Sequence, residues 1–220
     1  MSCRTPSELL FEEFCERKGI RCHRVNADTT RTPDYELFLP RRKVVTEVKE
    51  IVPNAAERAA DVAFRRGEPT VVSSIPGQRV RGKISDAVPQ IKARTKRLYP
   101  GLLVLYEDAL IPRHIDPYQV RVAMFGFESV VIAVPNDPRS SPYFVGREYG
   151  RGRKMTPAYN TTVSALGVLS SRSAEISMTV YHNLYAKIPL APGLMARYGI
   201  PQFKLGAAVF GRLAEWEAVA

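Results

Sequence analysis

The chain has 220 residues, 32 Lys and Arg against 22 Asp and Glu, a formal net charge of +10 and a pI near 9.7. Apolar residues at 45% and charged residues at 25% are ordinary for a globular domain, and the length suits one α/β core with an elaboration. No apolar run approaches the roughly 20 residues of a membrane span, and the charge excess favours a polyanionic partner.

The first six residues carry no signal-peptide core. Ser7 reads as the N-cap of a first helix: acids fill its first turns, bases its last, and Gly19 ends it. At about 100° per residue, Leu10, Phe11, Phe14 and Cys15 make one apolar arc. Glu8 sits at the edge of that arc, Glu12 a little further out, and Glu13 and Glu16 face away. Residues 20–25 then read as a strand. Cys3, Cys15 and Cys22 are odd in number and form no C-x-x-C pair, which points to free thiols in a reducing cytoplasm rather than to disulfides or zinc.

Residues 32–51 read T-P-D-Y-E-L-F-L-P-R-R-K-V-V-T-E-V-K-E-I. Two segments rich in aromatic and β-branched residues, 35–39 and 44–51, flank Pro40, Arg41 and Arg42, as in a β-hairpin. With the turn centred between Pro40 and Arg41, Asp34 falls opposite Glu47. Lys49, two residues on, shares the face of Glu47. Cross-strand partners have Cβ atoms about 4.5–5.5 Å apart, close enough for two carboxylates to grip one divalent cation. Two such carboxylates need a compensating positive charge to stay ionised together. Mg²⁺ prefers one or two carboxylates plus substrate phosphate, and Lys49 is placed to orient a water or neutralise charge on phosphorus.

Asp34, Glu47 and Lys49 in this spacing resemble the signature of the PD-(D/E)xK nuclease superfamily, whose core is the restriction-endonuclease-like fold. The order helix, strand, loop, strand, turn, strand is also that superfamily's opening. Residues 84–90 and the apolar run 102–106, T-P-D-Y, E-V-K-E and Tyr181-His182-Asn183 extend the resemblance to a branch of the superfamily that brings no particular substrate with it. The resemblance implies Mg²⁺ or Mn²⁺ held by Asp34 and Glu47, with the Val48 carbonyl and a first-helix Glu, Glu8 ahead of Glu12. Capping the helix dipole is an equal reading of Glu8. It implies that Lys49 assists the attacking water, that Gln90 joins the site from the following helix, and that products carry 5′-phosphate and 3′-hydroxyl ends. Pro89 breaks the pattern beside Gln90.

Between these motifs, 68–82 reads as a mobile loop, with Arg79, Arg81 and Lys83 preceding or opening a middle helix. Lys92, Arg94, Lys96 and Arg97 crowd its end, where cations suit the dipole. Residues 102–106 form a strand buried on both faces, and 130–134 another. A Pro-, Ser- and Gly-rich insertion, 135–156, carries Arg147, Arg151, Arg153 and Lys154 as a flexible cationic arm beside one stacking ring, Tyr149. These cations suit a nucleic-acid backbone better than base edges.

Two strands, 162–169 and 176–181, surround a Ser-Ser-Arg-Ser turn. His182, after the second, reads as a structural histidine ahead of a general base. Leu205, Val209, Leu213 and Trp216 lie at helical spacing and predict a closing amphipathic helix over 205–218.

The expectation is therefore one domain: a restriction-endonuclease-like α/β core over about 7–134, its mixed sheet flanked by helices, the basic insertion 135–156, and a C-terminal elaboration 157–220. The expected activity is metal-dependent phosphodiester hydrolysis of nucleic acid, DNA favoured over RNA. Two-strand cutting would call for a homodimer or a second pass. The alternative is a binding or assembly subunit that keeps the fold without turnover.

Overall fold

The computed structural model describes residues 4–26, 32–109, 113–172, 175–206 and 214–219. Helix α1 (Pro6–Arg17) starts two residues earlier than the sequence predicts: its N-cap is Thr5. Thr5 and Glu8 form a reciprocal capping box and Pro6 fills the first helical position. Strand β1 (Arg21–Arg24) follows, then β2 (Tyr35–Leu39) and β3 (Arg42–Ile51). Tyr35 pairs with Thr46 and Leu39 with Arg42, the register expected of a turn at Pro40 and Arg41.

Helix α2 (Ala55–Arg65) is capped by Asn54 and Glu57 in a second capping box. Helix α3 (Gln78–Thr95) absorbs Arg79 and Arg81, which therefore stand on a helix rather than in the expected loop, and it continues through Pro89. Strand β4 (Gly101–Glu107) is buried along both faces, as its unbroken apolar run requires. Asp116 caps α4 (Pro117–Phe125). Strands β5 (Glu128–Ala133) and β6 (Tyr143–Tyr149) pair as a separate antiparallel hairpin. The expected flexible arm is thus a strand through Arg147 and a turn carrying Arg151 to Lys154.

Strands β7 (Val163–Arg172) and β8 (Glu175–His182), helix α5 (Pro192–Ala196), and strands β9 (Gln202–Leu205) and β10 (Trp216–Ala218) complete the described chain. The expected closing helix is corrected at both ends. Leu205 closes β9, Trp216 opens β10, and the two are cross-strand partners. Val209 and Leu213 lie outside the described residues. Apolar residues at helical spacing can also fall on separate short strands, as Leu205 and Trp216 do, so period alone does not decide.

The eight-stranded sheet runs β1-β2-β3-β4-β7-β8-β9-β10. It is mixed: β3, β4 and β7 are parallel neighbours and β1-β2-β3 antiparallel. The segment after residue 157 lays β7 directly beside β4, so it builds half of this sheet rather than decorating it.

Helices flank both faces. Phe11 and Phe14 of α1 and Met195 of α5 pack with Tyr35, Val48, Leu102 and Val104 on one face. Val80, Ile84, Ala87 and Ile91 of α3 and Val120 and Ala123 of α4 pack with Ile51, Leu103, Leu105 and Leu166 on the other. Gly101 permits that approach: a Cβ there would lie 2.4 Å from Ile91 Cγ2 and 2.5 Å from the Thr162 carbonyl oxygen. Among the described residues no helix is long and apolar enough to cross a membrane.

Candidate active site

Strand alternation sorts the signature residues. Val48 belongs to the α1 face and Ile51 to the α3 face, so Glu47 and Lys49 also point toward α3. Asp34 lies one residue beyond the last β2–β3 pair, directly opposite Glu47. The Asp34 amide donates to Glu47 Oε2 at 3.1 Å, and the Val48 amide donates to Asp34 Oδ2 at 2.8 Å. Lys49 Nζ donates to Glu47 Oε1 at 2.5 Å. The three residues expected to act together do meet, and backbone amides fix the direction of both carboxylates.

Burial makes the pair electrostatically costly. Glu47 is 0% exposed, and Asp34 is half-buried. Burial pushes the Glu47 carboxyl up to about 7; the Asp34 charge adds to the rise, and Lys49 opposes it. Asp34 is raised as well, first by burial and also by the Glu8 charge, against the pull of the Val48 amide and Lys49. One ammonium thus faces two carboxylates in a site that resists carrying their charge.

Glu8 is buried and holds its own helix cap, accepting from the Thr5 amide at 2.7 Å, with Arg24 at 3.6 Å. Both readings of Glu8 therefore have a physical basis, since its charge also reaches Asp34. Glu12 accepts from the Tyr35 hydroxyl at 2.9 Å and pairs with Arg4 at 3.2 Å. Among the described residues, no three His, Cys, Asp or Glu side chains assemble as a metal-holding group. A divalent cation would have Asp34 and Glu47 plus a carbonyl. Val48 suits that part: its amide faces Asp34, and the amide and carbonyl of one residue in a strand face the same neighbour. An all-oxygen set with two carboxylates fits a hard cation.

Helix α3 runs antiparallel to β3 above this pair. Arg79 donates to the Val52 carbonyl at one end, and Arg94 Nε donates to Glu36 Oε1 at 2.7 Å at the other, where Glu36 pairs with Val45. The 15 residue steps from Arg79 to Arg94 span roughly 22 Å of helix and the seven steps from Val45 to Val52 roughly 23 Å of strand, so the two scales match. Gln90, one turn before Arg94 on the same flank, comes level with Glu47. It is half-buried and has no side-chain hydrogen bond to Asp34, Glu47 or Lys49. Lys83 shares that flank nearer Lys49. Arg81 lies on the opposite flank, its guanidinium 5.0 Å over the Phe127 ring. Arg147, Arg151 and Arg153 are exposed on the hairpin and its following turn, and Lys154 is half-buried there.

Beyond Lys49 on the same face lies a polar cluster that sequence reading missed. Buried Glu107, paired with Ile51, accepts from the Arg113 amide at 3.0 Å and the His114 amide at 2.9 Å. His114 Nε2 lies 2.9 Å from Glu57 Oε1, and Arg113 reaches Asp61 at 2.5 Å. The cluster braces the chain after β4 against α2; the Asn54-x-x-Glu57 capping box was its legible sequence signal. His182 ends β8, buried against Gln202 Oε1 at 3.0 Å, and burial lowers its pKa, as befits a structural histidine.

No family model, curated protein or solved structure matches the chain.

Proposed function

We propose that this chain is a metal-dependent nuclease of the PD-(D/E)xK type with a restriction-endonuclease-like core, hydrolysing phosphodiester bonds of nucleic acid, DNA ahead of RNA. One observation carries the reading: wholly buried Glu47 and half-buried Asp34 stand face to face, both with raised pKa values, and share a single ammonium. Such a pair is unfavourable unless it has a charge to hold.

Mg²⁺ or Mn²⁺ bound by Asp34, Glu47 and the Val48 carbonyl would acidify water and stabilise charge growing on phosphorus. The chain's own residues do the rest. The Asp34 and Val48 amides hold both carboxylates in their binding orientation. Lys49, with its side chain 23% exposed, is the group at the mouth of the pair that can donate to a water or a phosphate oxygen. Gln90 stands level with Glu47 as a neutral donor. The net charge of +10 draws a polyanion to the molecule.

Asp34→Ala, Glu47→Ala and Lys49→Ala should each abolish cleavage of plasmid and of single-stranded DNA and RNA, with circular dichroism unchanged. Cleavage that persists in all three purified variants contradicts the reading.

A further inference from the structure

Helix α3 begins against its own dipole. Its N-cap, Gly77, makes no side-chain cap bond, its first turn holds no acid, and Arg79, Arg81 and Lys83 crowd its first six residues. Cations at a helix N-terminus are unfavourable unless an anion is there to meet them. By contrast, α1 and α2 each begin with a glutamate in a capping box.

Two further features show where an anion would lie. At about 100° per residue, Lys83 points to the carboxylate flank and Arg81 to the far flank, with Gly82 on the exposed ridge between them. A Cβ at Gly82 would meet nothing within 4 Å, so the ridge is open. On the far flank, Arg81, Gly82 and Ser85 face Gly152, Arg153 and Lys154 across a groove of about 370 Å³, with no acidic residue lining it among the described residues. Arg81 Nη1 is buried there with no hydrogen-bond acceptor among the described residues, while the Phe127 ring lies against the guanidinium. The two basic segments, some 70 residues apart in sequence, form one surface.

We propose that a nucleic-acid backbone crosses α3 at Gly82, one phosphate meeting Lys83 on the carboxylate flank and another entering the groove of Arg81, Arg153 and Lys154. The two contacts are separated by a helix about 10–12 Å across. The inference rests on the reading that the chain acts on nucleic acid. It adds a second phosphate site, remote from the carboxylates, that fixes the line the substrate takes.

Binding is measured by anisotropy of labelled single- and double-stranded oligonucleotides in chelator, so turnover plays no part. Gly82→Glu and Arg153→Glu should each weaken binding about tenfold or more, and Lys154→Ala should lower the slope of log affinity against log salt by about 1. Lys18→Glu, the same kind of charge change at the end of α1 on the other face, should have less than about a twofold effect. In ¹⁵N-labelled protein the Gly82 and Gly152 amides should shift with oligonucleotide. Wild-type affinity and salt slope in folded Gly82→Glu and Arg153→Glu overturn the proposal. So do amide shifts with inorganic phosphate alone and none with oligonucleotide, since the groove then serves a free anion. Groove-dependent binding without any metal-dependent cutting would leave the crossing intact and remove the nuclease reading instead.

Discussion

Glu47 is wholly buried, and although the Asp34 amide and Lys49 both donate to it, burial pushes its pKa up to about 7. Its folded-state pKa lies above the unfolded value of about 4.3. Between those values the folded chain binds the proton and the unfolded chain has released it, so stability falls as pH rises through that window. The full cost, on the order of 3 kcal/mol, is present above pH 7 in metal-free protein. Asp34, also raised, acts in the same direction. Glu47→Gln should therefore raise metal-free stability at pH 8 by on the order of 1–3 kcal/mol, with little gain at pH 4. Thermal melts in chelator at both pH values check this. Added Mg²⁺ should then stabilise the wild type at pH 8 and not the variant. A Glu47→Gln protein that melts below wild type at pH 8 without metal would show that the buried carboxylate is not a burden.

At the scale of elements, the β2–β3 hairpin positions the site and α3 covers it. Arg41, exposed in the turn, sits at a φ of 61°, where a side chain costs about 1–2 kcal/mol relative to glycine. Arg41→Gly should stabilise the hairpin by up to about 1 kcal/mol, read by urea unfolding. Gly101→Ala should do the reverse by about 1–3 kcal/mol, because its Cβ would drive Ile91 and α3 away from β4. The hairpin register was legible because Pro40 and Arg41 mark the turn and every partner follows by symmetry about it. The buried β4 was legible from its unbroken apolar run. Helices α2 and α4 were not read, although Asn54-x-x-Glu57 and Asp116-Pro117 are both start signals. Helix α4 has no clear apolar stripe; α2 has one, but it is built mainly of alanine and buries only Ala60 besides Glu57, and caps mark a helix without requiring one. The meeting of Arg81 with Arg153 and Lys154 could not be read at all. It depends on α3 and the turn after β6 packing side by side, which no local pattern encodes.

At the scale of the whole molecule, the sheet order places the carboxylate pair where antiparallel β2 ends beside parallel β3 and β4. The ladder stops at Tyr35, leaving the Val48 amide to Asp34 and the carbonyl beside it free of a β2 partner. Helix α3 lies across that opening, with Lys83 and Gln90 on one flank and the basic groove on the other. The excess of positive charge gives the molecule a long-range pull on polyanions that salt will weaken. In the proposed hydrolytic centre the carboxylates hold the cation and Lys49 serves the chemistry. The measurement that tests it most directly is supercoiled-plasmid cleavage by wild type and Lys49→Ala, in Mg²⁺, in Mn²⁺ and in chelator, with calorimetric cation binding to both proteins. Nicking or linearisation by the wild type in metal only is the expected result, with a Lys49→Ala protein that still binds the cation but does not cut. Cutting by Lys49→Ala at the wild-type rate, or wild-type cutting that persists in chelator, would contradict it.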